Sequence, residues 1–245
     1  DDAFAGAGAG HQVLLVAPSL DLVMVRNGGV LAEPGERLGF WGAVEQYLFN
    51  PLMEAVLQYP DNPGVRLPYP PSAAIEKATF APFSSITRAA PGSDNWPITW
   101  ADNDDLYTAY GDGWGFEPLL DVKLGQGFAR VSGPPESFRA VNIRSESGEN
   151  LGQGPKGAKA SGMLMVDGVL YMWERNVGNS RLAWSEDRGR TWQRGLRFEV
   201  SFGSPAFLNF GRNYAGARDQ YVYLYSQDGP SAYESSDHVV LARVP

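Results

Sequence analysis

The chain contains no cysteine, which excludes disulfide staples, thiolate nucleophiles and cysteine-ligated metals. Its two histidines, His11 and His238, stand far apart, so a histidine-rich zinc site is excluded as well. No apolar run approaches the length of a membrane span. The N-terminus shows no signal-peptide pattern and opens on Asp1 rather than Met, so the sequence reads as a processed or truncated product. Basic residues are in deficit: 20 Lys and Arg against 28 Asp and Glu give a formal charge of −8. Nucleic acid and anionic membranes both require a basic footprint, so neither is expected as a partner. Neutral sugars, cations and basic partners stay open.

What the chain does have is aromatic residues, 12% of its 245 positions, together with 29 Gly and 18 Pro. That mixture suits many short strands joined by turns better than a helical bundle, and the length is enough to bury a core. Residues 12–26, QVLLVAPSLDLVMVR, give two apolar runs about a short break, a hairpin signal. Phe40, Ala43, Val44, Tyr47 and Leu48 recur at helical spacing within residues 39–57. Pro51 is expected to break or kink that helix near Phe49. Prolines then crowd residues 59–73, which read as a stiff extended linker. The expected division is a hairpin-and-helix segment over 1–58, the linker over 59–73, and a second domain over 74–245.

In that second domain nine short aromatic and β-branched runs are bounded by Gly, Asp and Asn, as strands are. A weak repeat links LYTAY at 106–110, LYMW at 170–173 and VYLY at 222–225. ARV follows two of them, at 129–131 and 242–244. Intervals of about fifty to sixty residues fit the blade period of a β-propeller; an irregular β-sandwich is the alternative. SEDRGRTW, residues 185–192, carries Ser185, Asp187, Gly189, Thr191 and Trp192 at S-x-D-x-G-x-T-W spacing. It resembles the Asp-box of sialidase-like propellers. A short Asp side chain can take backbone N–H groups of the turn, Gly permits a positive φ, and Trp can bury its ring over the turn. The octet is therefore read as structural, with Glu186, Arg188 and Arg190 as solvated charges.

Hydrolysis of a glycosidic bond needs two facing carboxyl groups. The richest stretch is 92–118, with Asp94, Asp102, Asp104, Asp105, Asp112 and Glu117 beside Trp96, Trp100 and Trp114. Asp102, Asp104 and Asp105 fall between two strand runs and read as a hairpin turn. Asp94 precedes the first run and Asp112 follows the second. In an antiparallel hairpin those two positions share an edge, which makes Asp94 and Asp112 the candidate pair; a turn role for both is the competing reading.

Over about residues 74–245, SDNWPITWADNDDLYTAYGDGWGF, KASGMLMVDGVLYMWERN, LAWSEDRGRTW and FLNFGRNYAGARDQYVYLYS resemble a bacterial family long catalogued as a domain of unknown function. That family is associated with endo-D-arabinanase activity and resembles five-bladed propeller glycosidases. The resemblance implies a central acidic pocket, with Asp94 and Asp112 catalytic and Trp96, Trp114, Arg175 and Asn176 as sugar contacts. Arabinan is one candidate substrate among polysaccharides. About three blade-like units can be counted, so the expected fold is mainly β, an incomplete propeller preceded by a hairpin and helix. Self-association is a way to complete it. A secreted or periplasmic location is expected. No cofactor or metal is expected, with Ca²⁺ on the oxygens of the 102–105 turn as the remaining alternative. Two other functions stay open. One is a carbohydrate-binding or scaffolding module using Trp96, Trp100 and Trp114. The other follows from GAGAGHQVLLVAPSLDLVMVRNGG and the helix after it, which resemble the C-terminal end of β-lactamase-like serine hydrolases. That family needs an S-x-x-K nucleophile, which this chain lacks, so the segment reads as a relic and His11 as structural.

Overall fold

The runs of alternating apolar and polar residues become strands wherever a partner strand can cover one face. The computed structural model describes residues 3–8, 11–20, 22–29, 31, 40–58, 74, 85 and 87–245. It is mainly β, with four antiparallel sheets and one interrupted helix among the described residues. The chain divides into two compact units, Asp1–Thr87 and Arg88–Pro245. The proline-rich stretch 59–73 lies outside the described residues.

In the first unit β1 (Phe4–Gly8), β2 (Gln12–Ala17) and β3 (Leu22–Arg26) form a sheet in that order. The hairpin β2–β3 is the one expected from 12–26. Strand β1 has no β-branched residue, and pairing from Phe4 with Val16 to Gly8 with Gln12 overrides its weak propensity. Pro51 does not end the helix. The chain is α-helical over Phe40–Val44, widens to a π-turn over Glu45–Phe49 and resumes over Asn50–Gln58. Asn50 N–H bonds back to the Glu45 carbonyl, so the departure from α-geometry directly precedes the residue that has no N–H to donate. His11 is buried at φ 61°; its Nδ1 accepts from Leu31 N–H at 2.7 Å, and its ring edge meets Phe40 at 4.8 Å.

The second unit holds three sheets. Strands β4 (Ile98–Trp100), β5 (Leu106–Tyr110), β6 (Gly127–Ser132) and β7 (Arg139–Ile143) form the first, in sequence order. Strands β8 (Lys159–Val166), β9 (Val169–Arg175), β10 (Arg181–Ser185) and β11 (Gln193–Arg197) form the second, also in order. The third has three strands, β12 (Ala206–Phe207), β13 (Val222–Gln227) and β14 (Val239–Val244). The LYTAY, LYMW and VYLY segments all fall on the second strand of their sheet, and both ARV segments on the third. Strands β11 and β12 were not anticipated, because QRGLR and AF carry no alternating apolar pattern.

The sheets pack face to face. Tyr107, Ala109 and Phe128 of the first meet Met163, Met165, Leu170, Met172 and Ala183 of the second in one buried cluster. The other face of the second sheet turns Trp173 toward Phe198 and Phe207. The first strands of the three sheets adjoin, with β4 and β12 each beside β8. Thr99 Oγ1 accepts from Met165 N–H at 2.9 Å and donates to Asn209 Oδ1 at 3.0 Å, while Asn209 Nδ2 reaches the Met163 carbonyl at 3.2 Å. Gly162 lets the backbones approach closely at this seam, since a Cβ there would stand 3.0 Å from the backbone of residues 205 and 206.

The SEDRGRTW turn closes β10 onto β11. Asp187 accepts from Ser185 Oγ, Thr191 N–H and Thr191 Oγ1 at 2.6–2.8 Å, and Ser185 Oγ accepts from Gly189 N–H at 2.7 Å. Arg188 and Gly189 take positive φ, 60° and 93°. Trp192 is 5% exposed, stacks on Phe128 at 5.0 Å and donates from Nε1 to the Gly189 carbonyl. Arg188 remains partly solvent-exposed, as expected of a turn charge, and also pairs with Asp102 of the β4–β5 turn at 3.3 Å.

Replacing Trp192 with Ala should cost about 3–5 kcal/mol by urea denaturation, the usual loss for a large buried aromatic. Burial works to raise the Asp187 carboxyl, but hydrogen bonds from Thr191 and Ser185 outweigh it and hold the group below its ordinary value of 3.8. A depressed folded-state value stabilises the fold above pH 3.8, and that stabilisation is lost as the pH falls through the depressed value. The acid limb of the wild-type pH–stability curve should therefore flatten in Asp187→Asn.

Candidate functional site

Asp94 and Gly111 form an antiparallel bridge, with N–H to carbonyl distances of 2.9 and 2.6 Å. This extends the β4–β5 pairing beyond the strands and puts Asp94 alongside the residue that precedes Asp112. The Asp94 carboxylate lies over Gly111, where a Cβ would stand 3.0 Å from Oδ1. Asn95 then ties the next residue to the second sheet, donating to the Ala160 carbonyl at 2.6 Å.

Asp112 is held from both oxygens. Oδ1 forms an ion pair with Lys159 Nζ, and Oδ2 accepts from Gly154 N–H at 3.1 Å. Lys159, the first residue of β8, is 2% exposed and also donates to the Gly125 carbonyl at 3.3 Å. Its cross-strand partner is Arg175 at the end of β9. Asn176 donates to the carbonyls of Gly154 and Gly157 at 3.3 and 2.9 Å, so it and Asp112 fasten the same loop. Glycines at 125 and 157 let that loop pack, since a Cβ at either would collide with the Gly152 carbonyl at 2.1 or 2.4 Å.

Asp94, Asp112, Arg175 and Asn176 are thus brought to one end of the first two sheets, whereas the two tryptophans are placed differently. Trp96 is half-buried in packing, its ring 5.5 Å from Tyr110 and 5.4 Å from Phe116. Trp114 lies over Gly92, with Lys123 Nζ 5.5 Å from its ring centre. Arg175 sets its guanidinium 5.5 Å from the Tyr233 ring, and its Nε is buried without a partner among the described residues. Tyr110 ends β5 beneath this region, and burial, reinforced by Glu149, pushes its phenol up to about 12. It stays protonated and acts as packing. Asn95, Asp112 and Asn176 adopt left-handed backbone, φ 54°, 43° and 66°. Such residues collect at functional sites when surrounding contacts over-determine them.

Sequence reasoning missed Lys159 and Glu174. Lys159 announces itself only as a lone cation opening an otherwise apolar strand. Glu174 is completely buried on the opposite face of β9 from Arg175, paired with Arg181 at 2.8 Å and Arg194 at 2.9 Å, with Gln126 Nε2 at 3.4 Å. Elsewhere, Asp102, Asp104 and Asp105 each face an arginine, Arg188, Arg212 and Arg130 respectively. Among the described residues no three His, Cys, Asp or Glu are grouped to share a metal. A cavity of about 820 Å³ opens between the second and third sheets, lined mostly by apolar side chains such as Leu164, Trp173 and Leu224. Its Asp219 is engaged by Tyr221 N–H and Tyr223 O–H, and its Asp167 lies in the β8–β9 turn. That cavity lacks the paired arrangement found at Asp94 and Asp112.

No family model matches the chain, and no curated protein matches it in sequence. Among solved structures, the phage phi92 endosialidase is similar over 53% of this chain and 18% of that one, at 19% identity and a TM-score of 0.28. The match spans under a fifth of the phage protein, and a superposition of that score carries no inference of activity. No helix among the described residues is long and apolar enough to cross a membrane.

Replacing Glu174 with Ala would strand two guanidinium groups. Breaking a buried pair costs about 3–5 kcal/mol. The arginines are 32% and 28% exposed, so a loss near the lower end is expected in urea denaturation, and a smaller one for Glu174→Gln.

Proposed function

We propose that residues 74–245 form an incomplete β-propeller of about three blades that hydrolyses a polysaccharide through the carboxylates of Asp94 and Asp112. Arabinan-type polymers are the first substrates to try. The observation that carries this reading is the Asp94–Gly111 bridge. It sets Asp94 beside the residue that precedes Asp112, at the end of the sheets where the buried Lys159, Arg175 and Asn176 also lie, which supports the pairing. Two carboxyl groups across a sugar ring supply one proton and accept another, which is the chemistry of glycoside cleavage. Arg175, Asn176, Trp96 and Trp114 remain the sugar-contact candidates.

The propeller reading draws on the four-stranded meanders, the adjoining first strands and the equivalent positions of the repeat. The outer faces of the stack also expose apolar side chains: Ile98 and Trp100 at 44% on one, Tyr225 at 43% and Leu241 at 53% on the other. Patches of this kind favour a covering partner, and completion by a second copy is the form of self-association proposed. Sedimentation velocity should then show a concentration-dependent oligomer that Leu241→Asp weakens.

A second reading, a sugar-binding module without catalysis, is favoured by the exposure of Trp100. The two readings separate cleanly. In a screen of polysaccharides including arabinans, Asp94→Asn and Asp112→Asn should each lower hydrolysis by at least about 100-fold. Unchanged hydrolysis in both variants would sink the catalytic assignment, and undiminished binding without any product would favour the module.

A further inference from the structure

We infer that the cavity between the second and third sheets is a binding site for a hydrophobic organic cation, an ammonium head on a hydrocarbon or aromatic body. The site shares no lining residue with the Asp94 and Asp112 end and stands apart from the glycosidase reading.

The cavity holds about 820 Å³, inside the range of about 300–1,000 Å³ that small-molecule sites occupy. Its walls come from two facing sheets, with Leu164 and Trp173 on the second and Phe207 and Leu224 on the third. Leu164, Trp173 and Leu224 are buried, and Trp173 is braced by Phe198 at 5.0 Å and Phe207 at 6.0 Å, so the wall is preformed. The rim is apolar as well: Leu196 of β11 is 63% exposed and Val244 of β14 is 51% exposed. An apolar body entering here takes both from water. Sugar hydroxyls would find few partners on these walls, so a second saccharide site does not fit.

The polar groups of the lining collect at one end. Asp167 is exposed in the β8–β9 turn, and Asp219 and Gln220 are exposed on the segment joining β12 to β13. Asn213 ties these two pieces of chain together by accepting from Gly168 N–H at 3.1 Å. Asp167 has no ion pair among the described residues. Asp219 accepts from Tyr223 O–H and Tyr221 N–H, and these bonds hold its carboxyl below its ordinary value of 3.8, so it is ionised at neutral pH. Both donors are uncharged and leave its negative charge in place. Arg243 adds to that lowering, but its guanidinium stacks over Tyr221 at 4.3 Å and does not line the cavity. Among the described residues no Lys, Arg or His lines it. The charge at the mouth is therefore of one sign, and the rings of Tyr171, Trp173 and Tyr214 in the lining add π faces that attract a cation. An anion of the same shape would meet two carboxylates without a counter-charge, which makes the mouth selective as well as attractive.

The test titrates the full chain by calorimetry with octyltrimethylammonium, octyl sulfate and 1-octanol, which share one hydrocarbon chain and differ in charge. The ammonium should saturate a single site at least about tenfold more tightly than either of the others. Asp167→Asn and Asp219→Asn should each weaken it by about threefold and together by about tenfold, with 1-octanol unchanged. Ala242→Phe, which adds bulk to the wall opposite Leu224, should weaken the ammonium and 1-octanol alike by at least about tenfold. Where that variant does not fold by circular dichroism, Ala215→Phe, at an exposed position of the lining, carries the same comparison. Octyl sulfate or 1-octanol binding as tightly as the ammonium overturns the inference. So does wild-type affinity in a folded Ala242→Phe or Ala215→Phe, and so does the absence of saturable binding. Asp94→Asn should bind the ammonium as the wild type does, so this site and the glycosidase reading stand or fall separately.

Discussion

Strand β8 has protein against both of its faces, and a strand so placed can carry no polar group without a partner. One face meets the first sheet through Met163 and Met165, and the other turns toward β12. Each polar exception along it is answered by a neighbour. Lys159 is answered by Asp112 and Gly125, Ser161 by the Pro205 carbonyl at 2.7 Å, and the Met165 N–H by Thr99. The strands on either side are positioned by these demands as much as by apolar contact. Gly162 shows the same constraint sterically, since a side chain there would meet the backbone of the third sheet.

The two ends of the sheets are built on different principles. At the β10–β11 end, Ser185, Asp187, Gly189 and Thr191 satisfy one another within a single turn, and Trp192 seals it over Phe128. That end is a closed local circuit whose carboxylate is consumed by its own backbone. At the other end the side-chain partners are mostly distant in the chain. Asp112 finds its partners 42 and 47 residues away, and Asn95 finds its partner 65 residues away. Contacts of such span are expensive in chain entropy. They persist here because each secures a buried charge or a left-handed backbone turn.

The charged residues follow this division. Glu174 neutralises two arginines on the face shared with the first sheet, while its neighbour Arg175 emerges on the other face beside Lys159. A single strand end thereby holds two charged groups on opposite faces of the sheet. The left-handed residues at 95, 112 and 176 are Asn, Asp and Asn, the types that tolerate this conformation with least strain.

Much of the fold was legible from short-range pattern. The alternating runs marked nine strands of the second unit, the repeat marked equivalent strands, and SEDRGRTW marked a turn whose hydrogen bonds match its spacing. The adjacency of Asp94 and Asp112 was legible too, because hairpin geometry brings the start of one strand beside the end of the next. Strands such as QRGLR and FAGAG escaped because pairing, not propensity, makes them strands. The departure from α-geometry ahead of Pro51 falls where a break or kink was expected, but that it takes the form of a π-turn, with the helix resuming at Asn50, was not legible. By itself the sequence determined local elements, the turn over residues 185–192 and the edge shared by the two carboxylates, all of which depend on residues close in the chain. Only the tertiary structure decided that Lys159 would grip Asp112, that Trp96 would pack beside Tyr110, and that Glu174 would be sealed between two arginines. Those outcomes turn on which sheet faces meet, and burial then dictates which charges must find each other.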